Sequence, residues 1–137
     1  MNVTLFPIRQ KGDVTKKILT ICQKAIEKKI FIQIFCPNPE TIQYLSQLLW
    51  EFPQNGFLPH ASDETHTCEP ILLSLERQIK KPFTHLIWLH KDPPSQELKW
   101  SHLYDFDDQL TKESLAQSKK RYHFYKQLGC KISLLTR

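Results

Sequence analysis

The chain has 137 residues, of which 40% are hydrophobic and 24% are charged, and its net charge is +5. These proportions fit one globular domain over residues 1–137 and exclude a disordered, coiled-coil or collagen-like chain. No apolar run approaches the roughly 18 residues that a membrane span requires. The N-terminal apolar run is too short for a signal peptide, so a cytoplasmic protein is expected. The positive net charge favours an acidic partner, either nucleic acid or an acidic protein segment.

The first part of the chain alternates strand-like and helix-like patterns. Residues 3–8 are mostly β-branched or aromatic and predict a strand. Asp13 is expected to cap a helix over 14–29, whose apolar residues share one face. The continuous apolar run at 30–36 predicts a strand buried on both sides. Strand, helix and strand in this order indicate a right-handed crossover.

A second helix and two shorter strands are predicted next. The Asn-Pro pair at 38–39 predicts the start of a helix that continues to Trp50. Residues 51–69 show no periodicity and contain two prolines and a glycine, which predicts a surface loop. The apolar runs at 71–75 and 83–89 predict strands.

The last third holds a fifth strand and the longest helix. Residues 100–106 predict the strand, and Asp107 or Asp108 is expected to cap the helix. Gly129 supplies its C-terminal stop, and 131–135 form a short extended tail. Together these elements predict an α/β fold, a three-layer α/β/α sandwich with a mostly parallel sheet of about five strands.

The small number of glycines argues against glycine-rich phosphate-binding motifs. The chain has only three glycines. The turn after the first strand reads PIRQKGD and carries neither a GxGxxG nor a GxxxxGK[ST] phosphate-binding pattern. A GxSxG nucleophile elbow is also missing. The sequence therefore carries no phosphate-cradling turn and no serine elbow, and no cofactor is expected.

Two chemical alternatives stay open. Cys36 follows a buried strand and would serve as a nucleophile beside His60 or His85, although a buried thiol is the favoured interpretation. His60, His66 and Cys68 lie near acidic residues, but their spacing matches no zinc pattern. Solvated loop residues are therefore favoured, and no metal is predicted.

The last predicted helix is strongly basic. Residues 118–137 include six Lys or Arg and no Asp or Glu. Cations and a histidine recur at helical spacing along one face: Lys112, Lys119, His123 and Lys126. One interpretation is a solvated helix whose cations complement its dipole. The sharper interpretation is a docking surface bordered by Tyr122, suited to an acidic peptide with an apolar anchor. Single-stranded nucleic acid also fits, by phosphate pairing and base stacking.

A second candidate surface combines a helix end with the following loop. It consists of four residues: Trp50, Phe57, Leu58 and Pro59. Large apolar side chains in a loop either fold back as a lid on the core or stay exposed as a partner site.

These two segments resemble a known family. Leu-Leu-Trp at 48–50, followed by Phe-Leu-Pro-His at 57–60, is similar to the LW…FxPH signature of the chi subunit of bacterial DNA polymerase III. The sequence KKRYHFYKQLG at 119–129 resembles the RxRYxxYRxxG helix that closes members of that family. The resemblance covers essentially the whole chain, and only these two motifs are specific.

The resemblance implies a non-enzymatic subunit of the clamp-loader assembly. It implies binding of the acidic, hydrophobic C-terminal tail of single-stranded-DNA-binding protein. The tail site carried over to this chain comprises Lys119, Arg121, Tyr122, His123 and Lys126. It also implies pairing with the psi subunit or, in some members, a helicase. That surface falls on Trp50, Phe57, Leu58 and Pro59.

Two positions depart from the family pattern. Lys119 stands where the family commonly has arginine, so bidentate pairing with a carboxylate is lost. His123 stands where a lysine is frequent, so tail binding is expected to be more sensitive to pH. The alternative functions are a direct single-stranded nucleic-acid-binding protein and, less favoured, a small α/β enzyme using Cys36 or His60.

Overall fold

A computed structural model describes residues 1–51, 60–62 and 69–135. Within these ranges seven strands form one sheet in which every neighbouring pair is parallel. The strands are β1 Asn2–Ile8, β2 Ile32–Phe35, β3 His60–Ser62, β4 Ile71–Ser74, β5 His85–Trp88, β6 His102–Asp108 and β7 Lys131–Leu134. Their order across the sheet is β3-β4-β2-β5-β6-β1-β7.

In the described part of the chain three helices cover the two faces of the sheet and confirm the predicted α/β sandwich. They are α1 Asp13–Glu27, α2 Pro39–Glu51 and α3 Lys112–Gln127. The apolar faces of α1 and α2 pack on one face of the sheet, and α3 packs on the other. No helix in the described part of the chain is long and apolar enough to cross a membrane.

The sheet has two strands more than predicted. The short strand β3 lies inside the stretch that was expected to be a loop, and it pairs with β4 at one edge. At the other edge β7 pairs with β1, where an extended tail was expected. Both are short edge strands, and Leu134 of β7 is 61% exposed, so neither carries the continuous apolar run of a buried strand.

Local hydrogen bonds fix where each helix begins. Asn38 accepts from the Thr41 backbone N–H at 2.8 Å, which confirms the predicted cap of α2. Asp13 was expected to cap α1, but it lies inside the first turn, and its carboxylate accepts from backbone N–H groups of the preceding turn. Asp107 and Asp108 do not cap α3. They end β6, and Thr111 is the cap.

The later start of α3 follows from strand pairing. The backbone of β6 stays paired with β1 as far as Ile8, so Asp108 still lies in the sheet. Thr111 is the next residue able to cap, and its hydroxyl accepts from the Ser114 N–H at 2.9 Å. Gly129, with φ at +81°, ends the helix as predicted, because only glycine adopts this conformation without strain.

Candidate docking surface on the last helix

The predicted cationic stripe is on the solvent side of α3. Lys112, Lys119, His123 and Lys126 are all exposed. No carboxylate within the described ranges forms an ion pair with any of them. The ammonium groups of the three lysines therefore face water, as a docking surface for an acidic ligand requires.

Arg121 does not belong to this stripe. Its side chain is 8% exposed and points into the sheet side of the helix, where Nε donates to Asp105 Oδ2 at 2.9 Å. Its two terminal nitrogens donate to the carbonyls of Lys91 and Phe106 and to the Ser118 hydroxyl. The expectation that Arg121 faces an external ligand is corrected, because the side chain is buried and all three of its nitrogens donate to groups inside the protein.

Asp105 is the centre of this buried network. Its side chain is 2% exposed and accepts from the Tyr125 hydroxyl and the Phe106 backbone N–H, both at 2.6 Å, in addition to Arg121. Burial raises the pKa of Asp105, while the guanidinium and these hydrogen bonds oppose the shift. Burial, followed by the charge of Asp105, raises the pKa of Tyr125 well above its ordinary value. The network ties β6 to α3 and thereby fixes which face of the helix carries the stripe.

Apolar groups flank the stripe on both sides. Tyr122 is half-buried and packs against the core on one flank, with its ring 5.8 Å from that of His123. On the other flank a shallow hollow of about 580 Å³ lies between α3 and the loop that connects β5 to β6. The hollow is lined by Pro93, Ala116, Lys119, Lys120, His123, Phe124 and Gln127. A ligand that combines carboxylates with an apolar end would find both kinds of contact here.

The second predicted surface is described only in part. Trp50, near the end of α2, is 59% exposed, which places a large indole at the protein surface. Phe57, Leu58 and Pro59 lie outside the described residues. The structure therefore shows one member of that surface and leaves the other three as predictions.

The alternatives based on cysteine and histidine find little support in the described residues. Cys36 is completely buried, which suits the core-thiol interpretation. His85 is half-buried on the α1 face of the sheet, and burial lowers its pKa. His66 and Cys68 lie outside the described residues, and within the described ranges no group of acids, histidines and cysteines is placed to hold a metal.

Sequence reasoning missed a second cationic surface, on α1. Lys17, Lys24 and Lys28 border a cleft whose floor includes His102 and Tyr104 of β6. The available signal was the alternation in β6: the polar rings at 102 and 104 alternate with the buried residues Leu103 and Asp105. The parallel register was needed to see that they face the lysines.

Comparison with known proteins gives the family. The family described as DNA polymerase III chi subunit, HolC, matches residues 1–133. The chain therefore belongs to this family, whose members are non-catalytic accessory subunits of the replicative polymerase. Among curated proteins, none matches the chain.

Proposed function

We propose that this member of the DNA polymerase III chi subunit family links the holoenzyme, through its clamp loader, to single-stranded-DNA-binding protein in the cytoplasm. It would do so by binding the acidic C-terminal tail of that protein on the outer face of α3. DNA is then approached indirectly, through the protein that coats it. The observation that carries the proposal is the row of exposed cations, unpaired within the described residues, beside an apolar hollow.

The proposed site residues are exposed side chains of α3. Lys119, His123 and Lys126 would pair with the aspartates and the terminal carboxylate of the tail, because opposite charges steer and orient such ligands. The apolar end of the tail would pack either against Tyr122 or in the hollow. Arg121 supports the site from inside, by holding α3 on β6.

Titration with a tail peptide tests this proposal. The peptide carries several aspartates and ends in a proline and an aromatic residue, and binding is followed by isothermal titration calorimetry at low salt. We expect micromolar affinity, about −8 kcal/mol, that weakens as salt is added. Lys119→Glu combined with Lys126→Glu should weaken binding at least tenfold, because it places two acids where the peptide brings carboxylates.

A matched control separates a docking site from general attraction. Lys11, in the turn before α1, and Lys16, on α1, are both exposed, and α1 packs on the face of the sheet opposite α3. The pair Lys11→Glu and Lys16→Glu lowers the net charge by the same amount and should leave the peptide affinity within about twofold at moderate salt. Equal losses in both variants, or no heat with the unaltered protein, would rule out this docking site.

The second surface has a partner of another kind. We infer that Trp50, with Phe57, Leu58 and Pro59, contacts the psi subunit or a helicase, as the family resemblance implies. An exposed tryptophan fits an aromatic anchor in a protein interface. Trp50→Ala should abolish co-elution with psi or the helicase and leave tail-peptide binding unchanged. Retained co-elution with both partners would refute this assignment.

A further inference from the structure

A cleft of about 420 Å³ lies between α1 and the sheet, far in sequence from the stripe on α3. Its volume falls within the range of about 300–1,000 Å³ that is usual for small-molecule sites. Strands buried on both faces of a parallel sheet are normally apolar throughout. The floor here is different, because Thr4, His85, His102 and Tyr104 all line the cleft.

Four aromatic rings form a continuous row across this floor. The His102 ring lies 6.1 Å from that of His85 on β5 and 4.6 Å from that of Tyr104. The Tyr104 ring lies 6.1 Å from that of Phe6 on β1. Burial lowers the pKa of both His85 and His102, which keeps the two imidazoles uncharged at neutral pH. The row is therefore an uncharged aromatic platform, in which the Phe6 ring is buried and the other three rings are partly exposed.

The wall of the cleft carries only positive charge. Lys17, Lys24 and Lys28 belong to the cleft lining, which includes no acidic residue among the described residues. The Lys17 ammonium lies 5.3 Å from the centre of the Phe6 ring, and the other two lysines are exposed. None of the three forms an ion pair within the described ranges. The cleft thus joins flat rings to an uncompensated cluster of cations.

We propose that this cleft binds a nucleoside phosphate unit, with the base against the aromatic row and the phosphate at the lysines of α1. Aromatic side chains on a sheet, bordered by cations, suit nucleotide units because every base has a flat face and every phosphate a negative charge. A run of acidic side chains alone would pair with the lysines and leave the rings uncovered, whereas one nucleotide unit carries both a flat base and a phosphate. The unit can come from a free nucleotide or from a single strand, and both present the same chemistry.

NMR titration of the 15N-labelled full chain tests the proposal. The titrants are thymidine 5′-monophosphate, thymidine, inorganic phosphate and a 12-residue oligothymidylate. We expect the monophosphate or the oligonucleotide to shift the backbone amides of Thr4, Lys24 and Tyr104. Lys24→Glu with Lys28→Glu should weaken this binding at least tenfold, while the control pair Lys11→Glu and Lys16→Glu should stay within about twofold. Both pairs change the net charge equally and involve exposed side chains.

A separate variant tests how much the aromatic rings contribute to nucleotide binding. Tyr104→Leu keeps apolar contact with Phe6 but removes a ring from the platform, so it should weaken thymidylate binding several-fold and leave phosphate binding unchanged. If the oligonucleotide binds more strongly than the monophosphate, the natural ligand is a single strand. If the two affinities are equal, the natural ligand is a free nucleotide.

Several results would overturn the proposal. They are the absence of shifts with both nucleotide probes, equal affinity for inorganic phosphate and thymidylate, and equal losses in the two lysine pairs. Tighter binding of the acidic tail peptide in this cleft would also overturn it. The Lys24→Glu and Lys28→Glu pair should retain tail-peptide affinity within about twofold at moderate salt, so failure of this site is distinguishable from failure of the proposed function.

Discussion

Replacing Arg121 by methionine should destabilise the protein strongly, because it removes one partner of a buried ion pair. The variant keeps an unbranched apolar side chain of similar length and deletes only the guanidinium. Asp105 would then be a buried carboxylate without its cation, still accepting from Tyr125 and from the Phe106 backbone. The carbonyl of Phe106 would also lose the hydrogen bond that it accepts from the guanidinium at 3.0 Å.

The expected loss is about 3–5 kcal/mol, the range found when one partner of a buried pair is deleted. Both side chains fit this case, since Arg121 is 8% and Asp105 is 2% exposed. Total stabilities of such domains are about 5–15 kcal/mol, so the loss is a large share. Lys119→Met on the same helix should change stability by less than about 0.5 kcal/mol, because that side chain is exposed.

Urea unfolding followed by circular dichroism measures both variants. A second substitution sharpens the test: Arg121→Met with Asp105→Asn should be more stable than Arg121→Met alone. The amide oxygen of asparagine can still accept from Tyr125, and no unpaired charge remains buried. The reasoning is wrong if the free energy of unfolding of Arg121→Met stays within about 1 kcal/mol of that of the unaltered protein and tail-peptide binding is lost instead. Arg121 would then be a contact residue.

Three further predictions concern stability. In Arg121→Met the pKa of Asp105 should rise further, since the lowering charge is gone. A folded-state pKa above the unfolded one favours the folded state at low pH, so the loss of stability should be larger at pH 8 than at pH 5 in urea titrations. Thr111→Ala should cost about 1 kcal/mol, because it removes the cap of α3, and a loss below about 0.3 kcal/mol would contradict that role. Gly129→Ala should cost about 1–2 kcal/mol because its φ is +81°, and an unchanged melting temperature would show that the turn relaxes.

Strong local patterns made most of the sheet predictable. The run that became β2 is apolar at nearly every position, which is the pattern of a strand covered on both faces, and all four of its residues are buried. The edge strands β3 and β7 lacked this signal because they are short and lie at the rims of the sheet. Their pairing depends on neighbours that are distant in sequence, so no local pattern identifies them.

The candidate site was predictable only as a charge pattern. Helical spacing placed Lys119, His123 and Lys126 correctly on one exposed face. The same spacing could not separate Arg121 from its neighbours, because its burial depends on Asp105, 16 residues away on β6. A lone arginine in a basic run looks like one more surface cation until the strand that holds its acid is placed.

Register explains the missed cleft in the same way. His85 and His102 are 17 positions apart in the chain, yet the parallel pairing of β5 with β6 makes them direct cross-strand neighbours. The first halves of these strands carry polar rings on the α1 face, whereas Leu86 and Leu103 beside them are buried on the α3 face. Because one pair of strands supports both faces, the proposed nucleotide cleft and the α3 docking surface lie on opposite sides of the sheet. A tail peptide and a nucleotide unit can therefore be bound at once. We expect the affinity for each ligand to be the same in the presence and in the absence of the other.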